Sequence, residues 1–94
     1  MAQIKIYGLR AHLDPIKARL SDAIHQCVIE AFDYPADKRF HRFFPLEAED
    51  FHYPSGRSER YLIVEISLFE GRSVAAKKQL YQLLFARLQA DFGI

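Results

Sequence analysis

From Gln3 to Leu9 (QIKIYGL) apolar and polar side chains alternate, the period of a β-strand with one covered face, and Ile4 and Ile6 fall on the core side. The period then changes. Asp14 and Pro15 predict a helix start, because an N-cap aspartate accepts from exposed amides and a proline in the first turn has no amide to leave unpaired. Leu20, Ala23, Ile24, Cys27, Val28, Ala31 and Phe32 follow at spacings of three and four, one apolar helical stripe that ends near Asp33 and Tyr34, ahead of Pro35. A second strand is expected over Arg39–Phe44. Residues 45–60 (PLEAEDFHYPSGRSER) predict a loop punctuated by Pro45, Pro54 and Gly56, with a helical turn within Leu46–Phe51.

Tyr61–Phe69 has the clearest strand pattern: Leu62, Val64, Ile66 and Leu68 line one face, and Tyr61, Ile63, Glu65 and Ser67 the other. Ser73 then caps a second helix whose stripe is Ala76, Leu80, Leu83, Leu84, Leu88 and Phe92, with Gly93 as its stop.

A shift of 60 positions superposes the two halves: Ile4 falls on Val64, Ile6 on Ile66, Leu20 on Leu80, Ile24 on Leu84, Val28 on Leu88 and Phe32 on Phe92. The expected architecture is therefore a single α+β domain over residues 1–94, a tandem β-α-β repeat with units at about 1–46 and 60–94. Its mixed sheet carries both helices on one face, since parallel neighbours need a crossover helix. The counterpart of the strand at Arg39–Phe44 would fall beyond Ile94, so the second unit lacks its last strand. Either the chain is a shortened version of a longer protein, the favoured reading, or the sheet has three strands and an open edge.

Composition narrows the classes of function. The 94 residues include 13 basic and 12 acidic side chains, a net charge of +1 with no block of one sign, so no nucleic-acid partner is expected. No apolar run approaches the length of a membrane span, and the amino terminus lacks a signal-peptide pattern. Lone Cys27 has no internal disulfide partner, which fits a reducing cytoplasm. A chain this short buries a small share of its surface, so oligomerisation is expected.

The strand-helix-strand duplication, the Asp14-Pro15 helix start, the segment Pro35-Ala36-Asp37-Lys38-Arg39-Phe40 and the turn Glu70-Gly71-Arg72-Ser73 before Lys77-Lys78-Gln79-Leu80-Tyr81 together resemble the tautomerase superfamily. The resemblance covers essentially the whole chain and is closest to the malonate semialdehyde decarboxylase-like branch and its bacterial relatives. It implies a homotrimer whose sheets enclose a barrel, with sites at subunit boundaries near the amino termini, and a small carboxylate ligand handled without a cofactor. The family's base is a proline exposed when the initiator methionine is removed. Here Met1 is followed by Ala2, so the equivalent base is the primary amine of Ala2. The family also holds its substrate carboxylate with arginine, a planar two-pronged donor, and Arg72 matches that position. The acidic residue that precedes the arginine matching Arg39 is replaced by Lys38, with Asp37 one residue earlier. Glu70 stands where that branch has another arginine.

Arg39 and His41 alternate onto one face of the second strand with Arg42 on the other, so Arg39, His41 and Arg72 are candidate substrate-binding residues and the Ala2 amine the candidate catalytic group. His12, His25, His41 and His52 show no metal-ligand spacing, and Cys27 lies on a helical core stripe. Phe40, Phe43, Phe44, Phe51 and Tyr53 suit a core or a subunit interface, and Lys5 and Glu65 the sheet face away from the helices. Two functions are compatible with these residues: proton transfer on keto or enol acids, and a non-catalytic binding or assembly protein with the same trimeric fold.

Overall fold

Strand β1 (Ala2–Leu9) runs through the middle of a three-stranded sheet because its inward side chains, Ile4 and Ile6, are almost wholly covered, at 1% and 0% exposure. β2 (His41–Leu46) pairs parallel to β1 on one side, and β3 (Leu62–Leu68) antiparallel on the other. The computed structural model describes residues 2–68 and 73–94. Two long helices, α2 (Lys17–Phe32) and α3 (Val74–Phe92), cross one face of this sheet and pack on each other, as the repeat predicts.

The first helical run departs from expectation at its start. A short helix α1 (Arg10–Leu13) and a 3-10 turn at Asp14–Ile16 precede α2 without a break, so the helical path begins one turn before Asp14. Asp14 is itself helical (φ −55°, ψ −45°) and caps nothing; its carboxylate pairs with Arg10 at 3.7 Å and Lys17 at 3.1 Å. Pro15 has no amide and its ring crowds the carbonyl of the preceding turn, so here it tightens a running helix instead of opening one. The second helix follows its predicted signals: Ser73 Oγ accepts from the Ala76 amide at 3.0 Å, and Gly93 closes α3 at φ 67°.

β2 lies two residues later than its pattern suggests at both ends: the ladder starts with Ile4 opposite His41, where the Phe40 carbonyl accepts from the Ile4 amide (2.9 Å), and Pro45 and Leu46, expected in the loop, pair with Gly8 and Leu9. β3 ends at Leu68, and Phe69 lies outside the described residues. The turn expected within Leu46–Phe51 is a 3-10 turn at Ala48–Asp50.

Both predicted stripes meet between sheet and helices: Leu20, Ile24 and Val28 from α2 and Leu80, Leu84 and Leu88 from α3 pack on Ile4 and Ile6. Covering such side chains contributes about 1.5–3 kcal/mol each. Cys27 belongs to this core, at 3% exposure. The proposed aromatic group divides: Phe43 packs against the core, Phe51 is buried beside Tyr53 and Tyr61, and Phe44 stacks on Tyr7 (4.8 Å) on the sheet face away from the helices. On that open face Lys5 stands between Arg42 and Glu65.

Candidate functional site

Ser21, His25 and His41 form a polar cluster in the otherwise apolar layer between sheet and helices, and the exposed Asp22 and Arg39 border it at the surface. Ser21 and His25 project from α2, four residues apart and so on one helical face, and both are buried, at 9% and 4% exposure. His41 opens β2 on the helix side because it pairs with Ile4, whose side chain points that way. Its Nδ1 lies 2.8 Å from Ser21 Oγ, and its ring meets His25 edge-on with centroids 5.8 Å apart. Arg39 reaches the same hydroxyl from the segment before β2: its Nη1 donates to Ser21 Oγ at 3.4 Å and to Asp22 Oδ1 at 2.7 Å.

The electrostatics follow from this arrangement. Burial, then the neighbouring His25 and Arg39, push His41 from its ordinary value of 6.5 down to about 4, so at neutral pH the ring is uncharged. A neutral ring can accept at Nδ1, and Ser21 Oγ already receives the Arg39 hydrogen. We therefore assign the Ser21 hydroxyl as donor to His41 Nδ1. His25 has its Nε2 2.8 Å from the Ala36 carbonyl, which only accepts, so Nε2 carries the hydrogen there.

Arg39 thus sits outside β2 and is held by Asp22, with 41% of its side chain still exposed. His41 lies within reach of the same serine and is turned toward α2. Arg42 projects from the opposite face and is exposed, in keeping with the alternation. Ala2 opens β1, where its backbone partner is Leu68 at the end of β3. Arg72, together with Glu70 and Gly71, lies outside the described residues.

Sequence reasoning missed Ser21, Asp22 and His25. One signal was present: a serine and a histidine four positions apart on the apolar stripe of the first helix, where each has to find a partner inside the fold. Cys27 takes no part; burial pushes its thiol up, away from the thiolate needed for reactivity. On the open face, the neighbouring Glu65 carboxylate pushes the Tyr7 phenol up from its ordinary value of 10.0. Among the described residues no three of His, Cys, Asp and Glu gather closely enough to hold a metal ion, and no helix is long and apolar enough to cross a membrane.

The family described as "Tautomerase enzyme" matches residues 38–94, more than half of the chain. Probable tautomerase YusQ of Bacillus subtilis (strain 168) is 27% identical over 81 residues, covering 81% of this chain and 64% of that protein. The chain therefore spans less than two thirds of the length of that relative. Among solved structures, a malonate semialdehyde decarboxylase, determined in wild-type, proline-to-alanine and inactivated forms, superposes with a TM-score of 0.81 at 23% identity, covering 98% of this chain and 74% of that one. A fused 4-OT described as an asymmetric trimer gives 0.78 at 20% identity, covering 98% and 76%. Likenesses at these identities establish the fold.

Proposed function

Starting from the premise that the chain belongs to the tautomerase superfamily, we propose that it moves a proton at carbon on small keto or enol carboxylic acids. The observation that supports this reading is a meeting of positions at one end of the sheet. Ala2 begins β1 and pairs with Leu68. The parallel ladder of β1 with β2 starts with Ile4 opposite His41, two residues after Ala2 on one strand and two after Arg39 on the other. Arg72 follows Leu68 closely in sequence.

In this proposal methionine removal exposes the Ala2 amine, whose reference pKa of about 7.7–8.0 leaves an appreciable free-base fraction at neutral pH. The amine lone pair takes the proton from the carbon beside the substrate carbonyl, the C–H electrons form the enol double bond, and the carbonyl oxygen takes up a proton. Ketonisation is the reverse, and neither direction needs a cofactor. Arg72 grips the carboxylate through its two-pronged guanidinium. Arg39, anchored through Nη1 by Asp22 and Ser21, turns its remaining donors toward the developing oxyanion. His41 acts as a neutral positioning residue that fixes Ser21 and, through it, Arg39. The solved proline-to-alanine decarboxylase is a relevant parallel, because this chain carries alanine at the position the resemblance assigns to proline.

Trimeric 4-OT neighbours make a homotrimer plausible, and we propose that the open sheet face, with Tyr7, Phe44 and Ile63, is buried in it. A cytoplasmic location goes with this reading. The second reading, a non-catalytic binding or assembly protein with the same trimeric fold, is favoured by the Arg39–Asp22 ion pair, which already neutralises one anion holder.

Ultraviolet absorbance during ketonisation of phenylenolpyruvate separates the two, using protein whose amino terminus is verified by intact mass. The enzymatic reading expects saturable turnover that falls at least about a hundredfold in Arg72→Ala. Turnover indifferent to Arg72→Ala and to amine acylation would sink the residue assignment. A folded trimer with no turnover would leave the non-catalytic reading.

A further inference from the structure

The strand registers contain a two-fold relation. Ile4 lies opposite Ile66 and Ile6 opposite Val64; the shift of 60 turns the first pair into the second and maps the pair Lys5 and Glu65 onto itself. The two ends of the β1–β3 ladder thus correspond. At one end Ala2 lies opposite Leu68, and at the other Gly8 lies opposite Leu62. The same shift carries His12, after β1, onto Arg72, the proposed carboxylate holder after β3. A second polar position therefore stands at the Gly8 end, away from Ala2.

A hollow lies beside it. Leu9, Ala11 and His12 of the β1–α1 connection and Glu59 and Arg60 of the loop before β3 line a space of about 270 Å³. All five lie within the chain, and none belongs to the outer edge of β3. His12 Nδ1 is buried and has no hydrogen-bond partner among the described residues, a state that folded chains seldom leave uncompensated. Arg60 is bonded through its backbone amide, which donates to Ser58 Oγ at 3.1 Å, and its Nη1 passes 2.7 Å from the place a Cβ would take on Gly93. Among the described residues neither its guanidinium nor the Glu59 carboxylate forms a hydrogen bond or an ion pair. Burial, then the Arg60 cation, lowers His12 against the opposing pull of Glu59, so the ring is neutral at pH 7 and Nδ1 can accept.

We propose that this hollow binds a small zwitterion, an α-amino acid with an apolar side chain. Its carboxylate takes two parallel hydrogen bonds from Arg60, and its ammonium group donates to the Glu59 carboxylate and to His12 Nδ1. Its side chain lies against Leu9 and Ala11. Each of the three unsatisfied groups gains a partner in this way, and one cation and one anion meet their opposites. A plain anion would satisfy Arg60 but face Glu59, and a plain cation would satisfy Glu59 but face Arg60. The hollow and Ala2 stand at opposite ends of the ladder, so the proposal does not rest on the catalytic reading.

The test is isothermal titration calorimetry of L-leucine into the purified 94-residue chain at pH 7.5. Saturable binding is expected, weakened about tenfold by Arg60→Gln and by Glu59→Gln, exposed loop positions whose replacement leaves the core intact. His12→Phe keeps a ring in place but removes the acceptor, and is expected to weaken binding severalfold. 4-Methylpentanoate and 3-methylbutylamine, which each carry half of the zwitterion, are expected to bind at least about tenfold more weakly than leucine. Absence of saturable binding, or indifference to any of the three substitutions, would overturn the proposal. Equal binding of the plain acid or the plain amine would overturn it as well, assigning the hollow to a simple anion or cation. So would loss of leucine binding in Arg72→Ala, which would move the ligand to the proposed catalytic site; turnover of phenylenolpyruvate tests that site separately.

Discussion

The two units of the chain share one plan and differ in how it is completed. In the first, a strand closes over the helix, and the positions beneath it hold a serine and a histidine that bond to that strand and its approach. In the second, the same positions hold Tyr81 and Phe85 on an uncovered flank. A repeat fixes where a side chain stands relative to its own helix and strand. Whether that place is interior or surface depends on the next layer, and the residue types differ accordingly.

Replacing equivalent core residues should break the comparison most strongly. Ile24 and Leu84 are related by the shift, but Ile24 is 0% exposed and Leu84, which also borders an apolar groove lined by Tyr81 and Phe85, 7%. Ile24→Ala should cost about 3–4 kcal/mol and Leu84→Ala about 2 kcal/mol in urea unfolding, because the open flank collapses more easily around a cavity. Equal costs would mean that the flank is as tightly packed as the closed side.

Acid should act through the first unit. The folded state holds His41 neutral, with its pKa near 4, whereas the unfolded chain binds that proton from about pH 6.5 downward. The contribution is present above pH 6.5 and disappears as pH falls through 4, a loss on the order of 1–2 kcal/mol once the half-exposed ring is discounted for solvent screening. Unfolding at pH 7, 5 and 4 should show a shallower loss for His41→Gln than for the natural chain; identical slopes would exclude His41 as the source.

A smaller contrast is expected between Ser21→Ala and Tyr81→Ala. The first strips a partner from His41 and Arg39 in a buried setting and should cost about 1–2 kcal/mol. The second removes an exposed ring and should stay within about 0.5 kcal/mol. A reversal in thermal melts would contradict the roles assigned to the two flanks.

Smallest are the helix caps. Asp33 holds φ 50°, a left-handed conformation that glycine adopts more readily, and Gly93 holds φ 67° at the equivalent place. Asp33→Gly should stabilise by about 0.5 kcal/mol and Gly93→Asp destabilise by a similar amount. A loss of stability in Asp33→Gly would point to an unrecognised contact of that carboxylate.

Much of this fold was legible in the chain because period-two and period-3.6 patterns survive any packing that covers one face. Ile4 and Ile6, Leu20 and Leu80, and the caps Ser73 and Gly93 all stand where those patterns put them. Asp14-Pro15 misled because a local cap signal cannot reveal that the helix has already begun at Arg10. Of the candidate site, Arg39 and His41 were visible as polar residues at a strand start. Ser21, Asp22 and His25, which bond to or pack against them, were not: they come from a helix some twenty residues earlier, and only packing brings them near. The second apolar flank of α3, Tyr81 and Phe85, was hidden by the stronger stripe of leucines beside it.

By itself the sequence determined the elements, their buried faces, the duplication and the family, since each rests on local periodicity or on residue types along the chain. Tertiary structure alone decided which polar side chains share a proton network, that Arg39 is tied to Asp22, and which of two equivalent flanks is open. Those outcomes depend on distances between segments far apart in the chain, where hydrogen bonds and desolvation act over a few ångströms that no spacing rule encodes.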